Sequence, residues 1–291
     1  MKIIEGKKLA QNLNEELKNH VINIKKKFNL VPCLKVILVG NNSASNTYVK
    51  NKEFMAKKIG IDSEVIRVSS EIKEEELLDI INKCNLDSEI DGLLVQLPLP
   101  RHINSDNIIE AIDPQKDVDG FHPVNLGLLA LGRPDVIPCT PMGCLKLLKS
   151  ITSIQGKNVI IIGRSSIVGK PLSYLLTNND ATVTLAHSKS ENIKNLCIKN
   201  DILIAAVGIA NKIKKDWIKK EAIVLDVGIN FIKDDMGRNK LVGDVDLNDV
   251  LEKVSAITPV PGGVGPMTIH CLLENTVKQA IKRKKLNYKL N

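Results

Sequence analysis

The stretch VIIIGRSSIVGKP, residues 159–171, indicates the architecture of this 291-residue chain most directly. An apolar run ends at Gly163, and a segment that can open a helix begins near Gly169. A strand, a tight turn and a helix N-terminus form a common phosphate-binding arrangement, because the first amides of a helix have no partner inside it. The spacing departs from GxGxxG, since Ser165 occupies the place of the middle glycine. The stretch alone is therefore a weak signal that needs support from its surroundings.

Strand and helix patterns alternate on both sides of this stretch, which supplies that support. Buried strands are predicted in LKVILVG (34–40), DGLLVQLPLP (91–100), KNVIIIG (157–163), ATVTLAH (181–187), DILIAAVG (201–208) and AIVLDVG (222–228). A helix is predicted over 45–59, and a loop over 113–127. We expect two α/β domains, the second a doubly wound, Rossmann-type dinucleotide-binding domain. The expected bounds are 1–138, completed by a C-terminal helix at 267–291, and 139–266.

The composition is that of an ordinary globular protein and argues against several classes. With 43% hydrophobic and 25% charged residues and no long apolar run, we expect no transmembrane helix and no membrane partner. The N-terminus is expected to be a folded element rather than a targeting peptide. With neither feature expected, a cytoplasmic enzyme fits best. Six cysteines show no CxxC pair and no zinc spacing with the five histidines, so we expect reduced, buried thiols and no metal. The net charge of +8 comes with few aromatic residues, which favours solvated lysines over nucleic-acid binding.

The second strand of the dinucleotide-binding pattern indicates the cofactor. NAD sites place an acidic residue after this strand, where it binds the ribose hydroxyls. Here the strand is followed by HSKS, which contains no carboxylate. Arg164, Ser188 and Lys189 are instead suitable partners for a 2′-phosphate. The sequence therefore favours NADP over NAD.

Four polar side chains are candidates for catalysis or substrate binding. Lys52 and Tyr48, four residues apart, fall on the apolar side of the predicted helix. Such a lysine either extends to solvent or is a desolvated amine that can transfer protons. Gln96 lies near the end of an apolar strand, and Asp119 lies in a turn-rich loop. Each is either structural or, as an amide and a carboxylate, able to bind a heterocycle.

A proline- and glycine-rich segment, TPVPGGVGPMTIH at 258–270, directly precedes the apolar pattern of the last helix. Proline restricts φ and glycine permits positive φ, so the segment specifies one unusual backbone path. A simple corner would not need so many such residues.

Eight motifs in the same order resemble the bifunctional methylenetetrahydrofolate dehydrogenase / methenyltetrahydrofolate cyclohydrolase family, over essentially the whole chain. They are SNTYVKNKEF, DGLLVQLPLP, KDVDGFHPVNLG, PCTPMGCLKLL, GKNVIIIGRSSIVGKPL, ATVTLAHS, VLDVGIN and TPVPGGVGPMT. The resemblance implies a cleft between the two domains that holds folate, with the segment from Pro261 as part of its wall. It also implies a homodimer and tetrahydrofolate substrates, polyglutamylated forms among them.

The resemblance assigns roles residue by residue. Lys52 resembles the catalytic lysine, Gln96 the residue that positions it, and Asp119 the carboxylate that binds the pterin; Tyr48 matches the tyrosine stacked on the p-aminobenzoyl part. The implied cofactor-binding residues are Gly163, Arg164, Ser165, Ser188 and Ile229. The implied substrate-binding residues are Tyr48, Lys52, Val95, Gln96, Leu97, Asp119, Pro261, Gly262, Gly263 and Thr268.

The implied chemistry is NADP-dependent oxidation of 5,10-methylenetetrahydrofolate to the 5,10-methenyl form, followed by hydrolysis to 10-formyltetrahydrofolate. Alternatives are a dehydrogenase-only member, another NAD(P)-dependent oxidoreductase, and a binding module without turnover. Nucleic-acid binding is the weakest alternative.

Overall fold

The computed structural model describes residues 1–233 and 237–290. The elements in chain order are β1 (Lys2–Ile3), α1 (Gly6–Phe28), β2 (Cys33–Val39), α2 (Ser43–Ile59), β3 (Asp62–Val68), α3 (Glu74–Leu86), β4 (Gly92–Val95), α4 (Ser105–Glu110), α5 (Pro123–Ala130), α6 (Cys139–Lys149), β5 (Asn158–Ile162), α7 (Gly169–Thr177), β6 (Thr182–Ala186), α8 (Ile193–Cys197), β7 (Ile202–Ala205), a 3₁₀ turn (Lys215–Trp217), β8 (Ile223–Asp226), β9 (Asn230–Lys233), β10 (Asn239–Val242), α9 (Leu247–Val250), β11 (Ala256–Ile257) and α10 (Val264–Arg283). Helices and parallel strands alternate along the chain, so the fold is α/β.

The chain forms two compact units, named here by their main sheets. The six-stranded unit contains Met1–Gln11, Leu129–Arg133 and Thr140–Thr268, and the three-stranded unit contains Asn12–Leu128, Pro134–Cys139 and Ile269–Asn291. These bounds differ from the expected 1–138 and 139–266, because β1 pairs with β11 in the larger sheet and brings the N-terminus with it. The Asn178 side chain likewise donates to the Leu129 carbonyl at 2.7 Å, inside the same unit.

The six-stranded sheet has the order β1-β11-β8-β7-β5-β6, and all its pairs are parallel. Counted from β5, the strands run 2-1-3-4, the flavodoxin-like order of doubly wound folds. The chain passes from β5 to β6 on one side and then to β7 on the other, so the topological switch point lies between β5 and β7. Fully buried side chains such as Ile160, Leu203 and Val224 form the core beneath it.

The three-stranded sheet has the order β3-β2-β4, also fully parallel. Its core contains Ile37, Leu93 and the apolar stripe of α3. Helix α2 follows β2 and ends at Gly60, which has φ +90° and donates its N–H to the last turn of the helix. Strand β3 was missed by the sequence analysis, because only one of its seven residues is fully buried and its pattern is weakly apolar.

Three predicted segments differ at their ends. Strand β4 stops at Val95 rather than reaching residue 100, since the following prolines lack the N–H that a ladder requires. Helix α5 begins at Pro123, inside the segment expected as a loop, and proline is well suited to a first helical position. The last helix begins at Val264, so that Pro266 lies in its first turn, where a missing N–H costs little.

Within the described ranges, every helix is too short or too polar to cross a membrane.

Candidate active site

Lys52 lies on the buried face of α2 and does not extend to solvent. The residue is 2% exposed. Its Nζ donates to Oε1 of Gln96 at 3.2 Å and lies 4.9 Å from the centroid of the Tyr48 ring. No described carboxylate forms an ion pair with this amine. The Lys52 nitrogen has three positions beyond its bond to the side chain, and the described residues use one of them for a hydrogen bond, so the others remain for a ligand.

Gln96 immediately follows β4, where its backbone and side chain are both fixed. Its N–H continues the ladder by donating to the Ile37 carbonyl at 2.8 Å. Its Nε2 donates to the carbonyl of Leu97 at 2.8 Å, which leaves Oε1 directed at Lys52. The amide orientation therefore follows from its two partners. Val95, the last residue of the strand, is buried, whereas Leu97 is half-buried.

The loop that carries Asp119 is held by a neighbouring carboxylate, Asp117. Asp117 is buried and accepts N–H bonds from Gly120 at 2.9 Å, His122 at 2.8 Å and the Asn125 side chain at 2.9 Å. Burial raises the pKa of Asp117, and these donors oppose the rise. The half-buried Asp119 carboxylate accepts no hydrogen bond from the described residues. Asp117 thus forms the turn, and the Asp119 oxygens remain available to a ligand.

Helix α10 fixes the segment just before Asp119. Asn275 is 7% exposed and its Nδ2 donates to the carbonyls of Val118 at 2.9 Å and Ile137 at 3.0 Å. The N–H of Cys139 donates to the Asp119 carbonyl at 3.3 Å. Asn275 was missed by the sequence analysis, because nothing local distinguishes it from any polar residue of a helix.

The buried Cys139 thiol lies within the influence of both candidate charges. Burial raises its pKa well above the ordinary value; the charge of Asp119 raises it further, and that of Lys52 lowers it. A thiol held neutral in this way is not a nucleophile. All six cysteines are free and buried.

Lys116, the cation of the KDVDG motif, has a structural role. It is fully buried, and its Nζ donates to the carbonyls of Cys84, Asn85 and Asp87 at 2.8, 2.7 and 2.6 Å. These carbonyls form the C-terminal end of α3, where a cation is favourable. Lys116 therefore anchors the start of the Asp119 loop.

The glycines of the segment 258–268 allow close backbone contacts. Gly262 has φ +103°, which glycine adopts readily. A Cβ on Gly263 would lie 2.6 Å from the Pro259 carbonyl oxygen, and one on Gly6 would lie 1.9 Å from that of Gly263. The N-terminus of α1 thus packs directly on this turn, which explains its composition.

Pro261 lies just before α10, and Thr268 lies in the second turn of that helix. Pro261 is exposed and follows a cis peptide bond, Val260–Pro261. Thr268 is half-buried, with its Oγ1 3.1 Å from that of Thr140. Contact of these residues with a folate stays a prediction.

A cavity of about 580 Å³ lies at the carboxyl ends of β5, β6 and β7. This is the switch point of the sheet, the usual ligand position in doubly wound folds. Its volume falls in the range of small-ligand pockets. Its polar and aromatic lining includes Arg164, Ser165, His187, Ser188, Lys212 and Trp217.

The turn after β5 requires its glycines, as the motif predicted. A Cβ on Gly163 would lie 2.0 Å from the Ala206 carbonyl oxygen, and one on Gly169 would lie 1.9 Å from that of Gly163. The Ser165 hydroxyl accepts the N–H groups of Val168 at 3.2 Å and Gly169 at 3.4 Å. These two amides at the start of α7 are therefore already bonded, and phosphate donors are expected in the preceding turn instead.

A buried carboxylate that the sequence analysis missed, Asp244, holds the loop after β7. Its Oδ2 accepts the N–H of Val207 at 2.6 Å and that of Gly208 at 3.0 Å, and its Oδ1 accepts that of Ile209 at 3.0 Å. Val207 and Ile209 line the cavity. Asp244 therefore determines the shape of this wall.

Asp226, at the end of β8, holds Asp244 in turn. It accepts the N–H groups of Gly228 at 3.0 Å, Asp244 at 2.9 Å and Val245 at 2.9 Å. Burial raises its pKa to about 6, although the N–H donors act in the opposite direction. The sequence feature that could have indicated this role of Asp226 is its position as the aspartate that ends an otherwise apolar strand.

The structure brings most of the predicted cofactor residues together. Gly163, Arg164, Ser165 and Ser188 line one cavity, whereas Ile229 is 57% exposed and does not line it. In the described part of the chain, no cluster of three His, Cys, Asp or Glu side chains could hold a metal.

Comparison with known proteins identifies both regions of the chain. The family model described as the catalytic domain of tetrahydrofolate dehydrogenase/cyclohydrolase matches residues 4–119. The model described as its NAD(P)-binding domain matches residues 138–284. The chain is 53% identical to the bifunctional protein FolD of Wolbachia pipientis subsp. Culex pipiens (strain wPip), over 97% of this chain and 96% of that one.

Solved structures of the same kind superpose closely on this chain. The bifunctional FolD methylenetetrahydrofolate dehydrogenase/cyclohydrolase of Campylobacter jejuni has a TM-score of 0.93 and 48% identity, covering 97% of this chain and 99% of that one. The Trypanosoma brucei FolD enzyme, solved with NADP cofactor and an inhibitor, has a TM-score of 0.92 and 34% identity, covering 96% and 97%. With both domains matched in order and half of its residues identical to a relative, the chain belongs to the bifunctional tetrahydrofolate dehydrogenase/cyclohydrolase family.

Proposed function

We propose that the chain oxidises 5,10-methylenetetrahydrofolate with NADP and hydrolyses the 5,10-methenyl product to 10-formyltetrahydrofolate, with Lys52 as the proton-transferring residue. The observation that carries this proposal is the buried Lys52 amine, held by Gln96 and the Tyr48 ring with no carboxylate partner among the described residues. A structural lysine in the same unit, Lys116, is fully bonded to carbonyl groups instead. The Lys52 nitrogen can therefore still contact a substrate, whereas the Lys116 nitrogen already donates to three carbonyl groups.

The hydrolytic step moves a proton at three atoms. Water attacks the methenyl carbon, one of its protons leaves, and a carbinolamine forms. The bond from this carbon to N5 then breaks as N5 gains a proton and the carbinol oxygen loses one. Overall the methenyl cation and water give 10-formyltetrahydrofolate and one proton. We assign the transfers at water and N5 to Lys52.

Gln96 and Asp119 are positioning and binding residues in this proposal. Gln96 orients the Lys52 amine through the 3.2 Å hydrogen bond. Asp119, free of partners within the described chain, accepts N–H groups of the pterin. The remaining proposed folate contacts are Tyr48, Val95, Leu97, Pro261, Gly262, Gly263 and Thr268.

NADP is the cofactor that the cavity residues fit. The glycines of the β5 turn leave no room for side chains, Arg164 and Ser188 line the cavity, and no carboxylate lines it. When bound, NADP accepts the hydride that leaves the methylene carbon. Gly163, Arg164, Ser165 and Ser188 would hold it; Ile229 stays a predicted contact from outside the cavity.

Two substitutions test the assignment by their different effects. Lys52→Met should abolish methenyl hydrolysis while NADP still binds. Asp119→Asn replaces a pterin acceptor by a donor and removes a charge-assisted bond, at a cost of about 2–4 kcal/mol. Both activities should therefore fall together in that variant. Absorbance of the methenyl group and of NADPH measures both, and Lys50→Met, an exposed lysine of the same helix, is the control.

Near-normal hydrolysis in Lys52→Met would refute the role of the lysine. A sharply lowered melting temperature with unchanged folate affinity in Asp119→Asn would show that Asp119 shapes the turn. Hydride transfer without any hydrolysis in the wild-type protein would favour the alternative of a dehydrogenase-only enzyme.

Three further assignments belong to the proposal. The functional domains are 1–138 with 267–291 for folate and 139–266 for NADP. The enzyme acts in the cytoplasm, in keeping with six free, buried thiols. It forms a homodimer, as the resemblance to the family implies, and light scattering after gel filtration tests this assignment.

A further inference from the structure

Lys212 is a cation of the cofactor cavity with no role in the assignments above. It lines the cavity together with Arg164, His187 and Ser188. It forms no ion pair or hydrogen bond with another described residue. Two residues further on, the Lys214 amine is paired with Asp246 at 2.5 Å and does not line the cavity. Lys212 can therefore pair with a ligand in the cavity, whereas Lys214, only two residues away, is already paired with a carboxylate.

The backbone on both sides of Lys212 is fixed. The N–H of Asn211 donates to the Gly243 carbonyl at 3.1 Å, and the N–H of Ile213 donates to the Asp244 carbonyl at 2.9 Å. The start of the same loop, at 207–209, is bonded to the Asp244 carboxylate. One short segment, 243–244, thus holds the loop at both ends, and the loop presents Lys212 along the cavity wall.

The position of the lysine indicates which phosphate it would meet. In dinucleotide-binding folds the pyrophosphate lies at the turn after the first strand, and the adenosine ribose lies at the end of the second. The cavity is lined by His187, Ser188 and Ser190 from the end of β6, and its lining contains two cationic side chains, Arg164 and Lys212, and no carboxylate. A 2′-phosphate on that ribose would enter a cavity whose charged side chains are cationic.

We propose that Lys212 is a specificity-determining residue that binds the 2′-phosphate of NADP together with Arg164. The inference rests on the proposed use of NADP at this cavity. Because Arg164 comes from the β5 turn and Lys212 from the loop after β7, the two cations approach the phosphate from different walls.

Binding of cofactor fragments tests this without turnover. Trp217 is the single tryptophan of the chain and lines the cavity, so its fluorescence can report ligand binding, with calorimetry as the second method. The ligands are 2′,5′-ADP, which carries the 2′-phosphate, and 5′-AMP, which lacks it. Lys212→Met should lower the affinity for 2′,5′-ADP roughly tenfold, a loss of about 1.4 kcal/mol in binding free energy. The affinity for 5′-AMP should change less than about twofold. Lys212→Arg should retain most of the affinity, and Lys214→Met is the matched control.

The outcomes separate the inference from its premise. Unchanged binding of 2′,5′-ADP to Lys212→Met, or equal weakening of both ligands, would overturn the role of Lys212 alone. If the wild-type protein does not prefer 2′,5′-ADP to 5′-AMP, the proposed NADP site is itself wrong. In kinetics, the substitution should raise KM for NADP, leave kcat unchanged and leave hydrolysis of methenyltetrahydrofolate unaffected.

Discussion

Substitution of Asn275 tests whether helix α10 positions the Asp119 loop. Asn275→Ala removes the hydrogen bonds to the Val118 and Ile137 carbonyls at 2.9 and 3.0 Å and leaves both carbonyls without that donor. Each lost bond costs about 1 kcal/mol net. The Ile137 carbonyl, left without a donor among the described residues, adds to this cost, whereas the Val118 carbonyl keeps the Cys139 thiol as a donor at 3.2 Å. We therefore expect the free energy of unfolding to fall by about 2–4 kcal/mol.

The functional consequence follows from the position of Val118 directly before Asp119. A loop released on one side no longer holds the carboxylate in one place, and a small misplacement of a binding group is costly. KM for the folate substrate should rise about tenfold in both reactions. Affinity for NADP, measured by Trp217 fluorescence, should not change, since Asn275 belongs to the other compact unit.

Asn200 provides a matched control. It is also 7% exposed, and its Nδ2 donates to one carbonyl, that of Leu196, at 2.8 Å. Asn200→Ala should lower the free energy of unfolding by about 1 kcal/mol and leave folate kinetics unchanged. Urea unfolding followed by circular dichroism measures the stability of both variants. An equal rise of folate KM in both, or none in Asn275→Ala, would refute the positioning role.

Features with a local cause could be predicted from the sequence. The helix 45–59 has a regular apolar stripe, and this periodicity alone placed Lys52 on the buried side. The β5 strand, its glycine turn and α7 are contiguous, so their sequence carries the pattern. The glycines of 258–268 were recognised as a special path, but the reason, close packing on Gly6, involves residues distant in the chain.

Features with distant partners could not be predicted. Asn275 is separated from Val118 by 157 residues, and no local pattern marks an asparagine that bonds to such a carbonyl. Asp244 binds three consecutive amides 35 to 37 residues earlier, which become neighbours only when the sheet forms. Strand β1, two residues long, exists only because β11 lies beside it. In each case the tertiary fold supplies the partner that determines the role.

Two further predictions concern the six-stranded unit. Arg164→Ala should raise KM for NADP roughly tenfold or more and KM for NAD far less, because an arginine–phosphate contact is worth about 1.5–3 kcal/mol. Steady-state assays with both cofactors measure this, and equal effects on the two KM values would count against phosphate recognition. Asp226 predicts a pH dependence of stability. Burial raises its pKa from 3.8 to about 6, so the folded protein binds the proton more tightly than the unfolded chain does. Its stabilising contribution is therefore fully present below about pH 4 and is lost as pH rises through 6, by up to about 3 kcal/mol. Asp226→Asn cannot titrate, but it also replaces one of the two acceptor oxygens by an N–H donor, which faces either the Val245 amide or the Gly228 and Asp244 amides, so it is less stable throughout. The informative quantity is the difference in unfolding free energy, wild type minus variant, from urea titrations followed by Trp217 fluorescence. This difference should shrink between pH 4 and 6 and stay level above 7, because exposed carboxylates titrate alike in both proteins and cancel. A difference that grows with pH over that interval would mean that the N–H bonds, and not burial, determine the charge of Asp226.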